Sequence, residues 1–155
     1  MSALVPVDWH IEPLQKSHDR EDFNCGHIAL DRYLKQQARQ DAQSQVAAVF
    51  LAVKAQNSKV LGFYSLSASS IHVGDLPPEL ARKLHRYPHL PVTLLGRLAI
   101  DHACKGQGLG QFLLLDALYR SLQAAAAFYL RYGFVQLSAS EGRLFLPMKT
   151  VAALF

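Results

Sequence analysis

Val92-Thr93-Leu94-Leu95-Gly96-Arg97-Leu98-Ala99-Ile100-Asp101 has the character of a buried strand. It runs through His102-Ala103-Cys104 into Lys105-Gly106-Gln107-Gly108-Leu109-Gly110, and Leu109, Phe112, Leu113, Leu118 and Leu122 then follow in a helical pattern. This is a strand, a glycine loop and a helix in immediate succession. Glycine lets backbone N–H groups turn inward and approach an anion closely. The N-terminus of the helix behind adds roughly half a positive charge, so the unit suits a phosphate. Lys105 supplies a full charge beside it. A P-loop would need Gly-Lys-Ser/Thr after a longer loop, which is absent. A dinucleotide fingerprint would need the third glycine one residue later, within a repeating βαβ pattern.

Working outward, Trp9 to Leu14 alternates as an opening strand, and Asn24 to Gly26 is a turn. Leu30, Tyr33, Leu34 and Ala38 recur at helical spacing. Arg32, Lys35 and Arg39 then fall at i, i+3 and i+7, on one side of that predicted helix. Val46–Lys54 and Val60–Ser67 read as a hairpin around Gln56-Asn57-Ser58. Pro77-Pro78-Glu79 starts a short helix carrying Leu80, Ala81 and Leu84, which Pro88 and Pro91 close. Arg143 to Lys149 reads as a closing strand. The order strand, helix, hairpin, helix, strand, helix, strand predicts an α+β domain around a mostly antiparallel sheet.

The 155 residues fit one domain, 1–155, and at 50% hydrophobic and 18% charged the chain has the composition of a packed globular protein. Sixteen Lys and Arg against twelve Asp and Glu give a net charge of +4, a modest bias toward polyanionic partners. The two cysteines, Cys25 and Cys104, are far apart, which argues against a secreted disulfide framework or a zinc knuckle. No apolar run reaches membrane-spanning length and no signal peptide is evident, so the expected compartment is the cytoplasm. Seven histidines include no HExxH pair, and there is no GxSxG elbow, so no metal site and no serine triad are expected.

Lys105-Gly106-Gln107-Gly108-Leu109-Gly110 resembles the signature of the Gcn5-related N-acetyltransferase (GNAT) superfamily: a basic residue or Gln, two variable positions, Gly, one variable position, then Gly or Ala. Phe128-Tyr129-Leu130-Arg131-Tyr132-Gly133-Phe134 resembles its second landmark, FYxxxGF. A narrower resemblance, to the GNAT toxins of bacterial type II toxin–antitoxin pairs, rests on several stretches in order. They are Phe23-Asn24-Cys25-Gly26 with Leu30-Asp31-Arg32-Tyr33-Leu34, Gly62-Phe63-Tyr64-Ser65-Leu66-Ser67, Leu94 to Asp101, and Arg143 to Lys149. The resemblance implies a GNAT-like α/β/α domain around a mostly antiparallel mixed sheet, with acetyl-CoA as co-substrate. It implies that Lys105, Gly106, Gln107, Gly108, Leu109 and Gly110 hold the pyrophosphate, and that the backbone of Leu98, Ala99 and Ile100 serves the pantetheine arm. The implied substrate is the α-amine of aminoacyl-tRNA, whose acetylation stops translation. The implied partners are a ribbon-helix-helix antitoxin and a second copy of the chain. Arg32, Lys35, Arg39 and Arg97 are the candidate RNA contacts.

Amine attack on a thioester needs an oriented acyl group, a stabilised oxyanion and a proton for the leaving thiolate. Tyr129, at the family's tyrosine position, is the candidate general acid, since a phenol that ordinarily titrates near pH 10 still carries its proton at pH 7. An esterified α-amine needs no strong base, because free α-amines titrate near 7.7–8.0. Two other functions stay open: a catalytically impaired GNAT remnant that binds RNA or an antitoxin, and a GNAT acting on small amines or protein N-termini.

The sequence departs from the family in one place. Leu122-Gln123-Ala124-Ala125-Ala126-Ala127 runs straight into Phe128, where the family has a loop and a central strand. Intact flanks favour an unobserved segment, with a chain break inside Gln123–Ala127 and a helix ending near Gln123. A true deletion, or a strand supplied from elsewhere such as a partner chain, are the alternatives.

Overall fold

The computed structural model describes residues 8–84, 87–124, 135–136, 144–145 and 151–155. Strands β1 (Trp9–Pro13), β2 (Ala48–Lys54), β3 (Gly62–His72) and β4 (His89–Ile100) form a four-stranded sheet in that order. β1–β2 and β2–β3 are antiparallel, with Ile11 opposite Ala52 and Leu51 opposite Phe63. Helices α1 (Ile28–Gln36) and α2 (Ala38–Gln43) lie between β1 and β2, α3 (Pro78–Leu84) lies between β3 and β4, and α4 (Leu109–Ala124) follows the glycine loop. A short antiparallel pair, β5 (Val135–Gln136) and β6 (Leu144–Phe145), follows α4.

Two compact units divide the chain: Met1–Ser67 with Leu95–Asp116, and Ala68–Leu94 with Ala117–Phe155. In the first, Tyr33, Leu34 and Ala38 of α1–α2 join Val49, Leu51, Phe63, Phe23 and Ala99 in one buried cluster. The Phe23 and Phe63 rings meet edge-on at 5.7 Å. On β3 the neighbours of Phe63 point to the opposite face. There Gly62 admits α4: a Cβ on it would stand 2.9 Å from Leu113 Cδ1 and 3.0 Å from Ala99 O. Leu109 and Leu113 are fully buried one helical turn apart. In the second unit, Ile71, Leu76 and Leu90 pack with Leu80, Ala81 and Leu84 of α3.

The structure departs from the sequence reading at three places. The single helix expected to carry Arg32, Lys35 and Arg39 is two, broken at Gln37 (φ −121°). α2 ends in a Schellman motif: Gln45 adopts φ 59°, its N–H donates to Ala42 O, and the Val46 N–H donates to Asp41 O. Glutamine stands where glycine is the usual signal, so composition concealed this stop. β3 continues past Ser67 to His72, and β4 begins at His89, with Pro91 inside it. Among the described residues β4 is an edge strand, where proline costs least because an N–H facing away from the neighbour makes no ladder bond. Of the expected closing strand, Arg143–Lys149, Leu144–Phe145 is a strand and the other residues lie outside the described residues.

Candidate functional site

β4 ends at Ile100, and a single 3₁₀ turn, His102–Cys104, carries the chain from the sheet to the glycine loop. Asp101 caps that turn, its Oδ1 accepting from the Ala103 N–H at 2.9 Å. Gly106 and Gly108 then adopt φ of 79° and 85°, a conformation that L side chains rarely enter. Among the described residues a Cβ built on Gly106, Gly108 or Gly110 would meet nothing within 4 Å. No described side chain or backbone therefore requires these glycines for close packing. Gln107 turns back, its Nε2 donating to Ala103 O at 3.3 Å, and so braces the loop from behind. Leu109 is fully buried and pins the first turn of α4, while Lys105 is exposed beside the loop. The first N–H groups of a helix have no intrahelical acceptor, and α4, at 16 residues, carries a developed dipole. Together the loop amides, Lys105 and the helix end are the groups of this segment suited to an anion.

Leu98, Ala99 and Ile100 lead directly into this loop. Among the described residues β4 has a neighbour on one side only, so alternate peptide groups of this segment face away from β3. Tyr129, with the whole of Phe128 to Phe134, lies outside the described residues.

The four candidate RNA-contacting cations are not alike. Arg32 and Lys35 are exposed on α1, whereas Arg39 is half-buried in the first turn of α2. Burial, and after it the charge of Arg39, hold the Arg20 guanidinium below its usual range. Arg97 lies flat over the Tyr33 ring, 3.6 Å from its centroid. The Tyr33 hydroxyl donates to Asp41 Oδ2 at 2.9 Å, and Gln37 Nε2 donates to Asp41 Oδ1 at 2.9 Å. Burial, reinforced by Asp41, pushes the Tyr33 pKa up to about 12, so this tyrosine is a packed hydrogen-bond donor. The Gln37 and Tyr33 hydrogen bonds hold the Asp41 carboxyl below its ordinary value.

Cys25 and Cys104 are free thiols, both buried, and burial raises both pKa values, the reverse of what a nucleophilic thiolate needs. Buried His18 accepts the Gln15 N–H at Nδ1 and bonds Glu12 through Nε2 at 2.6 Å, a structural role. A cavity of about 640 Å³ lined by Glu12, His18, Lys54 and Asn57 shares no residue with the glycine loop. Among the described residues no group of three or more His, Cys, Asp or Glu could hold a metal, and no helix is long and apolar enough to cross a membrane.

No family model matches the chain. It is 34% identical over 132 residues to the tRNA-acetylating toxin of Mycobacterium tuberculosis, covering 85% of this chain and 77% of that protein. It is 28% identical to the probable toxin TacT of Sinorhizobium fredii, covering 93% of each. That second match runs over 169 positions, more than the 155 residues of this chain, so more than a dozen of them have no counterpart here. The sequence itself is continuous through Gln123–Ala127, which removes the favoured reading of an unobserved segment. α4 is described as far as Ala124, and the chain from there to Phe134, where the helix is expected to end and Phe128-Tyr129 to begin a separate helix, lies outside the described residues.

Among solved structures, a tyrosine-to-phenylalanine mutant of KacT superposes with a TM-score of 0.85 at 31% identity, covering 96% of this chain and 99% of that one. AtaT complexed with acetyl-methionyl-tRNAfMet gives 0.84 at 27%, covering 95% and 99%. AtaTR bound with acetyl-CoA gives 0.77 at 27%, covering 95% and 98%.

Proposed function

Because the chain belongs to the GNAT toxins, a family of tRNA-acetylating enzymes, we propose that it transfers the acetyl group of acetyl-CoA to the α-amine of an aminoacyl-tRNA and thereby blocks translation. The observation that carries this reading is the open, positive-φ glycine loop between β4 and α4. The N–H groups of Gly106 to Gly110, with Lys105, take the pyrophosphate of acetyl-CoA. The backbone of Leu98 to Ile100 orients the pantetheine arm and offers N–H groups to the oxygen that becomes negative in the transition state. When bound, acetyl-CoA supplies the activated thioester. Tyr129 protonates the departing thiolate, a role in keeping with the tyrosine-to-phenylalanine mutants for which KacT and AtaT structures were solved.

Arg32 and Lys35, exposed on α1, meet tRNA phosphates. Arg39 and Arg97 do so less directly, since each is half-buried. The natural partner is an antitoxin of the ribbon-helix-helix type; AtaT has been solved with the C-terminus of its antitoxin AtaR. The chain acts in the cytoplasm as one 155-residue acetyltransferase domain in a homodimer, with helices on both faces of the sheet.

The test is mass spectrometry of charged tRNA incubated with the protein and isotopically labelled acetyl-CoA. An acetyl label on the esterified amino acid supports the reading. Label only on small amines or protein N-termini replaces the substrate, and acetyl-CoA binding without any transfer marks an impaired remnant.

A further inference from the structure

The segment Asn24-Cys25-Gly26 lies far from the glycine loop in sequence, yet it is bonded to the turn that carries the loop. The Asn24 N–H donates to Asp101 Oδ2 at 3.1 Å, and Asn24 O accepts the His102 N–H at 2.9 Å. The same Asp101 carboxylate caps the 3₁₀ turn through Oδ1, so one side chain holds both pieces. The Asn24–Gly26 turn is itself rigid. Asn24 Oδ1 accepts the Gly26 N–H at 3.0 Å, and Asp31 of α1 accepts the Cys25 N–H at 2.9 Å. Cys25 is buried, and Gly26, at φ 91°, lies so close under the His102 ring that a Cβ would stand 2.7 Å from Nε2. Beyond Cys104 the loop is held, among the described residues, by short-range contacts: the Lys105 N–H on His102 O at 3.3 Å, Gln107's bond back to Ala103 O, the Phe112 N–H on Gly108 O at 3.0 Å and the buried Leu109.

We propose that the Asn24–Gly26 turn, joined to Asp101, is a positioning element for acetyl-CoA. It fixes the orientation of the His102–Cys104 turn and so the angle at which the loop N–H groups meet the pyrophosphate. Gly26 and Asp101 are its positioning residues, and neither touches the ligand. This rests on the acetyl-CoA reading of the loop. A merely structural tie would lower the fraction of active protein and the apparent kcat; a positioning tie raises KM for acetyl-CoA and leaves kcat in place.

The experiment measures acetyl-CoA affinity by calorimetry and the KM–kcat split on full-length protein, for the wild type, Gly26→Ala, Asp101→Asn, and Gly26→Ala with His102→Ala. Gly26→Ala drives a methyl into the imidazole and tilts the turn. Asp101→Asn keeps an oxygen for Ala103 but sets an amide group against the Asn24 N–H. Each is expected to raise KM for acetyl-CoA about tenfold or more with kcat held, since small misplacements of binding groups have effects of that order. Removing the ring in the double variant relieves the clash but not the strain of an alanine at φ 91°, so affinity is expected to recover in part, by about twofold or more over Gly26→Ala, as residues in contact couple. Wild-type protein that fails to bind acetyl-CoA overturns the loop assignment and this inference together. Wild-type binding with KM unchanged in the folded variants overturns this inference alone. If Gly26→Ala does not fold, Asp101→Asn decides on the same criterion.

Discussion

Tyr33 is a packed structural tyrosine, whereas Tyr129 is the proposed general acid. Tyr33 sits under Arg97 with its hydroxyl on Asp41, and burial raises its pKa to about 12. Its folded pKa therefore lies above the value near 10 of an unfolded tyrosine. The stability it contributes is fully present below about pH 10 and is lost as pH rises from about 10 to about 12, where the unfolded chain ionises first. Tyr33→Phe keeps the ring beneath Arg97 and removes only the hydrogen bond. It is expected to cost about 1 kcal/mol at neutral pH, read from urea midpoints. The gap between wild type and variant should narrow above about pH 10; a gap that stays constant to about pH 11 would mean Tyr33 titrates as in the unfolded chain. Tyr129 has the opposite expectation. Tyr129→Phe should fold, bind acetyl-CoA and lose roughly 10²–10⁴-fold in transfer, the usual worth of a general acid. A loss below about threefold in steady-state kinetics takes that role away from it.

At the scale of elements, the glycine loop was legible because its chemistry is written in residue type: alternating glycines between a buried strand and an apolar helix have few structural uses. Gly106 and Gly108 adopt positive φ, and no described atom lies within 4 Å of a Cβ built on either. At Gly108 a Cβ meets no described atom within 4 Å, so the folding cost of Gly108→Val is assigned to backbone strain, of order 1–3 kcal/mol. The side chain would stand where the pyrophosphate approaches. Acetyl-CoA affinity, measured by calorimetry on the folded fraction, should therefore fall by more than urea stability does, and equal affinity would refute the cradle. The hairpin and the opening strand were legible from alternation. The break at Gln37 was not, because Gln is neither a breaker nor a usual αL residue, and the Schellman stop at Gln45 depends on bonds to Asp41 and Ala42 that no composition rule signals. The split matters to the site, since it takes Arg39 off the helix that carries Arg32 and Lys35. The Asp101 bond to Asn24 joins residues far apart in sequence, and its only signal was that both stretches carried the family resemblance.

For the whole molecule the governing fact is length. The chain pairs with TacT over 169 positions while having 155 residues, and in its sequence Leu122-Gln123, in the last described turn of α4, are followed by four alanines and then Phe128-Tyr129. The resemblance puts a loop and a central strand there, and that strand forms the second wall of the acetyl-CoA cleft in the family. β4 and its glycine loop, the proposed first wall, lie wholly within the described residues. A co-substrate held along one wall keeps its pyrophosphate contacts but has more freedom at the thioester, and productive geometry tolerates only about 0.5 Å. The shortening should therefore cost the acetyl-transfer rate more than acetyl-CoA affinity. Grafting the corresponding loop and strand of a longer relative after Ala124 is expected to leave calorimetric affinity within about threefold while raising kcat by about tenfold or more, the scale on which orientation acts. The control is a graft of equal length made of Gly and Ser, which restores chain length without a strand and should leave kcat where it was. Equal rates for the wild type and the strand graft would mean that this chain, or its partner copy, builds the second wall from residues it already has.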